Sequence, residues 1–203
     1  MSLTEINIRP AIQSDAPFIA EMIQLSMGSL GDHLFGADGL SIKSYIEYLV
    51  RNNAGRFGLR FSFVAESAGI LKGMLISYTG RSLGLLNVST GPHLFSTMGF
   101  GPALRFMKRG ASLPGGREAL KDEYYISNLG VDPAVQGLGV GSALLNFAEN
   151  LARNEKLAKC SLIVGLYNQG ALRLYERLGY RIAETVQHEN EALGYHRMLK
   201  QLP

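Results

Sequence analysis

The segment that most constrains this chain is Gln136-Gly137-Leu138-Gly139-Val140-Gly141, in which three glycines alternate with other residues. Before it, Tyr124 to Val131 reads as a strand, stopped by Asp132-Pro133. After it, Ser142 opens a helix with Leu144, Leu145, Ala148, Leu151 and Ala152 on its buried side. Glycines remove the side chains that would keep a ligand from the backbone, and they leave N–H groups beside the positive end of a helix dipole. Phosphate binds well there. The spacing excludes two other phosphate loops. A dinucleotide fold needs G-x-G-x-x-G and, about 20 residues on, an acidic residue closing the next strand. Here Ser142 takes the third glycine's place, and the next strand runs out at Leu166-Tyr167. No lysine follows the glycines, so a P-loop is out. A purely structural turn stays open on this segment alone.

The rest of the chain reads as one mixed α/β domain. Ile6 to Arg9 alternates as a half-buried strand does. Ser14-Asp15 offers a helix cap, Phe18, Ile19, Met22, Ile23 and Leu25 follow at helical spacing, and Gly28 stops them. Gly31 to Gly39 reads as a loop, and Ser41 as the cap of a second helix. Phe61–Glu66 and Ile70–Tyr78 form a hairpin across Ser67-Ala68-Gly69. Residues 80–120, rich in glycine and proline, read as an irregular insertion of loops and short helices. Ser161 to Leu166 is a central strand, Asn168 caps another helix that Gly179 stops, and Tyr180–Val186 with Tyr195–Leu199 closes the sheet.

Composition narrows the function. The 203 residues suffice for a core without disulfides or metal, and the lone Cys160 excludes an internal disulfide and any cysteine-based zinc site. A net charge of +3 is too small to indicate nucleic acid. Arg105, Lys108, Arg109, Arg117 and Lys121 face only Glu118 between 101 and 121, so this stretch carries more than the whole net charge. It reads as a solvated loop surface, or as a lid over a pocket. No apolar run approaches the roughly 18 residues that span a bilayer, and Met1 to Ile6 does not open a signal peptide. The expected location is cytoplasmic, with no nucleic-acid or membrane partner. The final strand, if exposed, could pair across a homodimer.

The loop and the strand before it resemble the GNAT superfamily of N-acetyltransferases, whose cofactor loop has the form [Gln/Arg]-x-x-Gly-x-[Gly/Ala]. A second match, Asn168-x-x-Ala171-x-x-Leu174-Tyr175-x-x-x-Gly179-Tyr180, is similar to the family's second coenzyme-binding helix. Ile8-Arg9-Pro10-Ala11 with Asp15-Ala16 resembles its opening. Only 80–120 has no counterpart. The resemblance implies a single domain over 1–203, with a mixed, twisted sheet of about seven strands flanked by helices. It implies acetyl-CoA as donor and a small amine or peptide amine as acceptor, with no metal. It also implies that amides from Leu138 to Ser142, within the loop Gln136 to Gly141, hold the pyrophosphate. Leu129 and Val131 would hold the pantetheine arm and acetyl carbonyl, with Asn168 beside them, and Tyr175 would protonate the departing sulfur.

Transfer to an amine needs a neutral nucleophile, donors for the developing oxyanion and a proton for the thiolate. Where many relatives carry a carboxylate, this chain has Ser127 and Asn128. Glu123, on the same strand face by period two, is the candidate base, and a solvated strand-start glutamate is the plainer reading. His33 and His93 fall in expected loops that could border the acceptor pocket. Cys160 reads as a buried strand residue. A non-catalytic acyl-CoA-binding domain and a transferase of longer acyl groups are the rivals.

Overall fold

The computed structural model describes residues 5–36, 39–113 and 116–203. Seven strands form one sheet: β1 (Asn7–Pro10), β2 (Ser62–Ser67), β3 (Ile70–Thr79), β4 (Tyr124–Val131), β5 (Lys159–Gly165), β6 (Arg181–Val186) and β7 (Tyr195–Gln201), in the order β1-β2-β3-β4-β5-β7-β6. Every pairing is antiparallel except β4 with β5. The described helices are α1 (Ala16–Met27), α2 (Ser29–Phe35), α3 (Gly39–Arg51), α4 (Leu83–Met98), α5 (Phe100–Ala111), α6 (Val140–Asn154) and α7 (Gln169–Arg177).

Strand alternation divides the core into two. Val64, Met74, Ile76, Tyr78 and Tyr125 point to one face, where α1, α3 and α4 cover them. Ala65, Leu75, Tyr124, Ile126 and Leu162 point to the other and pack under α6 and Tyr175. Each face removes apolar surface from water, which is what holds helices to a sheet.

Several local expectations change. Gly31 to Phe35 is not loop, because Ser29–Phe35 forms α2 with Leu34 buried, and residues 37–38 of the expected loop lie outside the described residues. The expected irregular insertion holds two helices, α4 and α5. Leu86, Thr90, Leu94 and Met98 recur every fourth residue on the buried side of α4. Pro102 falls in the first turn of α5, where no N–H partner is lost. Asp15 does not cap α1 with its side chain; its carboxylate accepts from the Ile12 N–H (2.8 Å) and from Arg9 (2.7 Å). The final strand β7 lies between β5 and β6, so it offers no free edge for a dimer. The side chain of Ser41, expected to cap α3, lies outside the described residues, as do Met1 to Thr4.

Candidate active site

The two central strands part company. β4 pairs with β5 only over Tyr124–Ile126 against Cys160–Leu162, although β4 runs on to Val131 and β5 to Gly165. Their unpaired halves border a cavity of about 640 Å³, within the size range of small-molecule sites. A bulge marks the parting. Ile76 of β3 pairs with Asn128 and Ser77 pairs with Ile126, so Ser127 is left over. Bulges bend the strand that carries them. Period two is also reset, because Ser127 and Asn128 now share the α1 side. Ser127 Oγ accepts from Arg56 (3.2 Å) and donates to Asn128 Oδ1 (3.1 Å), and Asn128 Nδ2 donates to Ser26 Oγ in α1 (3.2 Å).

The glycine-rich loop and the start of α6 form the opposite side. Gly137 (φ 81°) and Gly139 (φ 91°) sit in the left-handed region, and a Cβ at either would meet no atom within 4 Å. Glycine is needed there for backbone conformation, not for room. The first intrahelical bond at this end is from Ala143 N–H to Gly139 O. The N–H groups of Val140, Gly141 and Ser142 precede it and have no acceptor among the described residues. All three residues line the cavity, as do Gln136, Gly137 and Gly139. Leu138 does not, and its N–H donates to Val135 O (3.3 Å). Of the expected row from Leu138 to Ser142, Leu138 lies off the lining and Gly139 to Ser142 lie on it. Arg173 and Arg177, one turn apart on α7, line the same cavity, and no ion pair engages them among the described residues. They were not singled out from the sequence, although their i, i+4 spacing beside the Asn168 motif is visible there.

Leu129, Val131, Asn168 and Tyr175 also line the cavity. Asn168 is committed as the cap of α7, its Oδ1 accepting from the Ala171 N–H (3.1 Å). The Tyr175 ring is buried, and its hydroxyl forms no hydrogen bond among the described residues. Burial pushes its pKa up to about 12, so it keeps its proton at any physiological pH.

Glu123 does not join this group. It precedes β4 at the strand's closed end, and both carboxylate oxygens are held by Arg197 of β7. Oε2 also accepts from the Leu120 N–H (2.8 Å). A buried carboxylate with these partners fixes structure and has no path to the cavity. His33 and His93 lie on α2 and α4 and are absent from the lining. Among the described lining residues there is no carboxylate and no imidazole. The nearest relay to a carboxylate runs from Ser127 through Arg56 to Glu118, which Arg56 grips with both Nη atoms (3.1 and 2.6 Å) and Tyr125 Oη donates to (2.7 Å). Burial opposes ionisation of Glu118, but the Arg56 charge and these hydrogen bonds outweigh it and hold the carboxyl below its ordinary value. A carboxylate so held is a weak base. In the sequence Glu118 was only one acid in a basic stretch.

Cys160 is fully buried in β5, away from the cavity lining, and burial with the nearby Glu149 pushes its thiol up to about 12. Among the described residues no three His, Cys, Asp or Glu side chains gather as metal ligands.

The model of the acetyltransferase (GNAT) family matches residues 74–180, from the middle of β3 through α7. An uncharacterized N-acetyltransferase of Methanocaldococcus jannaschii is 36% identical over 77 residues, covering 38% of this chain and 31% of that protein. A mycothiol acetyltransferase of Acidothermus cellulolyticus is 44% identical over 66 residues, covering 32% of this chain and 19% of that one. The match thus spans less than a third of the length of either curated relative. Among solved structures, one described as an acetyltransferase superposes with a TM-score of 0.71 at 22% identity, covering 97% of this chain and all of that one. The PaiA N-acetyltransferase of Thermoplasma acidophilum, solved with coenzyme A, gives 0.59 at 13% identity, covering 98% and 99%. At these identities the structures support the fold alone.

Proposed function

Because this chain belongs to the GNAT family of acetyltransferases, we propose that it moves an acetyl group from acetyl-CoA to a primary amine by direct attack. The observation that carries this reading is Tyr175: a residue buried on the wall of the cavity between the parted strands, whose hydroxyl has no protein partner among the described residues and keeps its proton. In this reading the N–H groups of Val140, Gly141 and Ser142 face the donor's pyrophosphate, and Arg173 and Arg177 neutralise its phosphates. The backbone of Leu129 and Val131 orients the pantetheine arm and polarises the carbonyl. When bound, acetyl-CoA supplies the thioester that the amine attacks. Tyr175 Oη donates its proton to the departing sulfur, the attached nitrogen gives up its surplus proton to water, and Tyr175 regains one from water.

The acceptor side supports a small amine without further positive charge. Leu25, Ile163 and Tyr167 are apolar walls there, and Ser26, Ser127 and Asn128 are neutral. A polyamine or a lysine-rich peptide would meet no carboxylate among the described lining residues. With no base in reach, the amine loses its proton to water before attack.

That same absence favours one second reading, a non-catalytic domain that binds acyl-CoA. The test begins with thermal stability in the presence of acetyl-CoA, CoA, longer acyl-CoAs and NAD. A ligand at about 100 times its Kd stabilises by about 2.7 kcal/mol. A shift with acetyl-CoA and CoA but not NAD supports the site, and a larger shift with a longer chain redirects the donor. An amine screen following released thiol then separates enzyme from binder. Turnover lost in Tyr175→Phe supports catalysis, and binding without turnover of any amine supports the second reading.

A further inference from the structure

Helix α5 carries two apolar faces, one buried and one largely exposed, where the only ring contact among the described residues is Phe100 against Phe95 of α4 (centroids 5.7 Å). Ala103 is fully buried, Phe106 packs on Phe35 of α2 (ring centroids 4.8 Å), and Gly110 sits close to Leu34. Phe100, Leu104 and Met107 lie at i, i+4 and i+7, about a quarter turn away around the helix. They are exposed at 74%, 53% and 47%. Large apolar side chains are seldom left in water as a group on one helix face.

The charged side chains of α5 itself are all of one sign. From Leu83 to Arg117 the sequence contains no Asp or Glu. Lys108 and Arg105 follow the apolar stripe around the helix, both exposed and, among the described residues, in no ion pair. Arg109 is turned inward, its Nη1 donating to Leu34 O (3.4 Å). A two-fold contact between copies through this helix would bring Lys108 and Arg105 toward their own equivalents with no acid to receive them. An anionic surface receives both the cations and the apolar stripe.

We propose that α5 docks this protein onto the surface of an anionic phospholipid bilayer, with Phe100, Leu104 and Met107 entering the headgroup boundary and Arg105 and Lys108 meeting the lipid phosphates. No described helix is long and apolar enough to cross a membrane, and surface association needs no such helix. The proposal rests on exposed residues away from the cavity and does not depend on the acetyl-transfer reading.

The test is sedimentation of the full chain with vesicles of phosphatidylglycerol and phosphatidylcholine mixed, and of phosphatidylcholine alone. Binding is expected only with the anionic vesicles, weakening steeply as salt rises. Arg105→Gln with Lys108→Gln should weaken it by about 25-fold, at about fivefold per cation. Leu104→Ser with Met107→Ser should abolish it, while leaving the melting temperature and the acetyl-CoA-induced shift unchanged. Equal binding to neutral vesicles, no binding to either, or binding unaffected by these variants would overturn the proposal. So would a concentration-dependent dimer that Leu104→Ser with Met107→Ser converts to monomer, because the face would then belong to a second copy.

Discussion

Arg197 in β7 reaches across the intervening strand β5 to hold both carboxylate oxygens of Glu123 at the foot of β4. Their side chains are 9% and 1% exposed. The backbone carbonyl of Glu123 meanwhile accepts from the Gly80 N–H at 2.7 Å, joining the start of β4 to the end of β3. Glu123→Gln leaves the Arg197 charge buried without its partner, and that typically costs about 3–5 kcal/mol. Chemical denaturation should register this loss, while the pH dependence of kcat/KM stays as in the parent.

Tyr175→Phe removes only a hydroxyl that has no protein partner among the described residues, so the fold should keep its melting temperature. Loss of a positioned general acid typically costs about 10²–10⁴ in rate. Turnover should fall by that order in single-turnover assays, with the Kd for acetyl-CoA nearly unchanged. Equal losses in binding and in rate would assign Tyr175 to packing.

The pH profile should belong to the acceptor and not to the protein. No carboxylate or imidazole lines the cavity among the described residues, and Tyr175 is pushed up to about 12 by burial. Below the acceptor's own pKa, kcat/KM should therefore rise about tenfold per pH unit, following the neutral amine. Acceptors of different amine pKa should shift the curve by that difference. A fixed break between pH 6 and 7 for every acceptor would reveal an enzymic base.

Asp15 should govern part of the acid stability. Burial raises its pKa, but hydrogen bonds from Arg9 and the Ile12 N–H outweigh this and hold the carboxyl below its ordinary value. Arg9 also reaches Glu66, so the cluster ties β1 and β2 to the start of α1. A depressed folded pKa contributes stability above the unfolded value of about 3.9 and loses it as pH falls through the folded one. Asp15→Asn should cost about 2 kcal/mol at pH 7. The gap between parent and variant should close as the pH is lowered through that range.

Gly130 sets the distance between α1 and β4. A Cβ there would lie 2.7 Å from Met22 Cβ and 2.9 Å from Met22 O, and the helix backbone has no easy retreat. Gly130→Ala should cost about 1–3 kcal/mol. Since α1 brings Leu25 and Ser26 to the cavity, the acceptor KM should change more than the Kd for acetyl-CoA.

The chemistry-bearing half of the chain was largely legible. The glycine loop, the α6 pattern and the Asn168-to-Tyr180 stretch are local signals, because backbone conformation and helix amphipathicity depend on neighbours in sequence. The same locality explains the losses in 80–120. Its glycines and prolines argue against helix one residue at a time, and only the four-residue recurrence of Leu86, Thr90, Leu94 and Met98 argues for it. Packing against the sheet overrides those weak propensities. Glu123 is not free to act as a base because Arg197, 74 residues on in the chain, holds its carboxylate.

The sequence by itself determined the strand order along the chain, the glycine-rich turn at the start of α6, and a tyrosine on the later helix α7. The tertiary structure decided which of these meet. The bulge at Ser127 and the short pairing of β4 with β5 open the cavity, and both depend on registers between strands far apart in the chain. It also decided that Leu138 turns away, that Arg173 and Arg177 turn in, and that Glu123 is spent on Arg197. Charge partners and strand registers are non-local, so no window of sequence contains them.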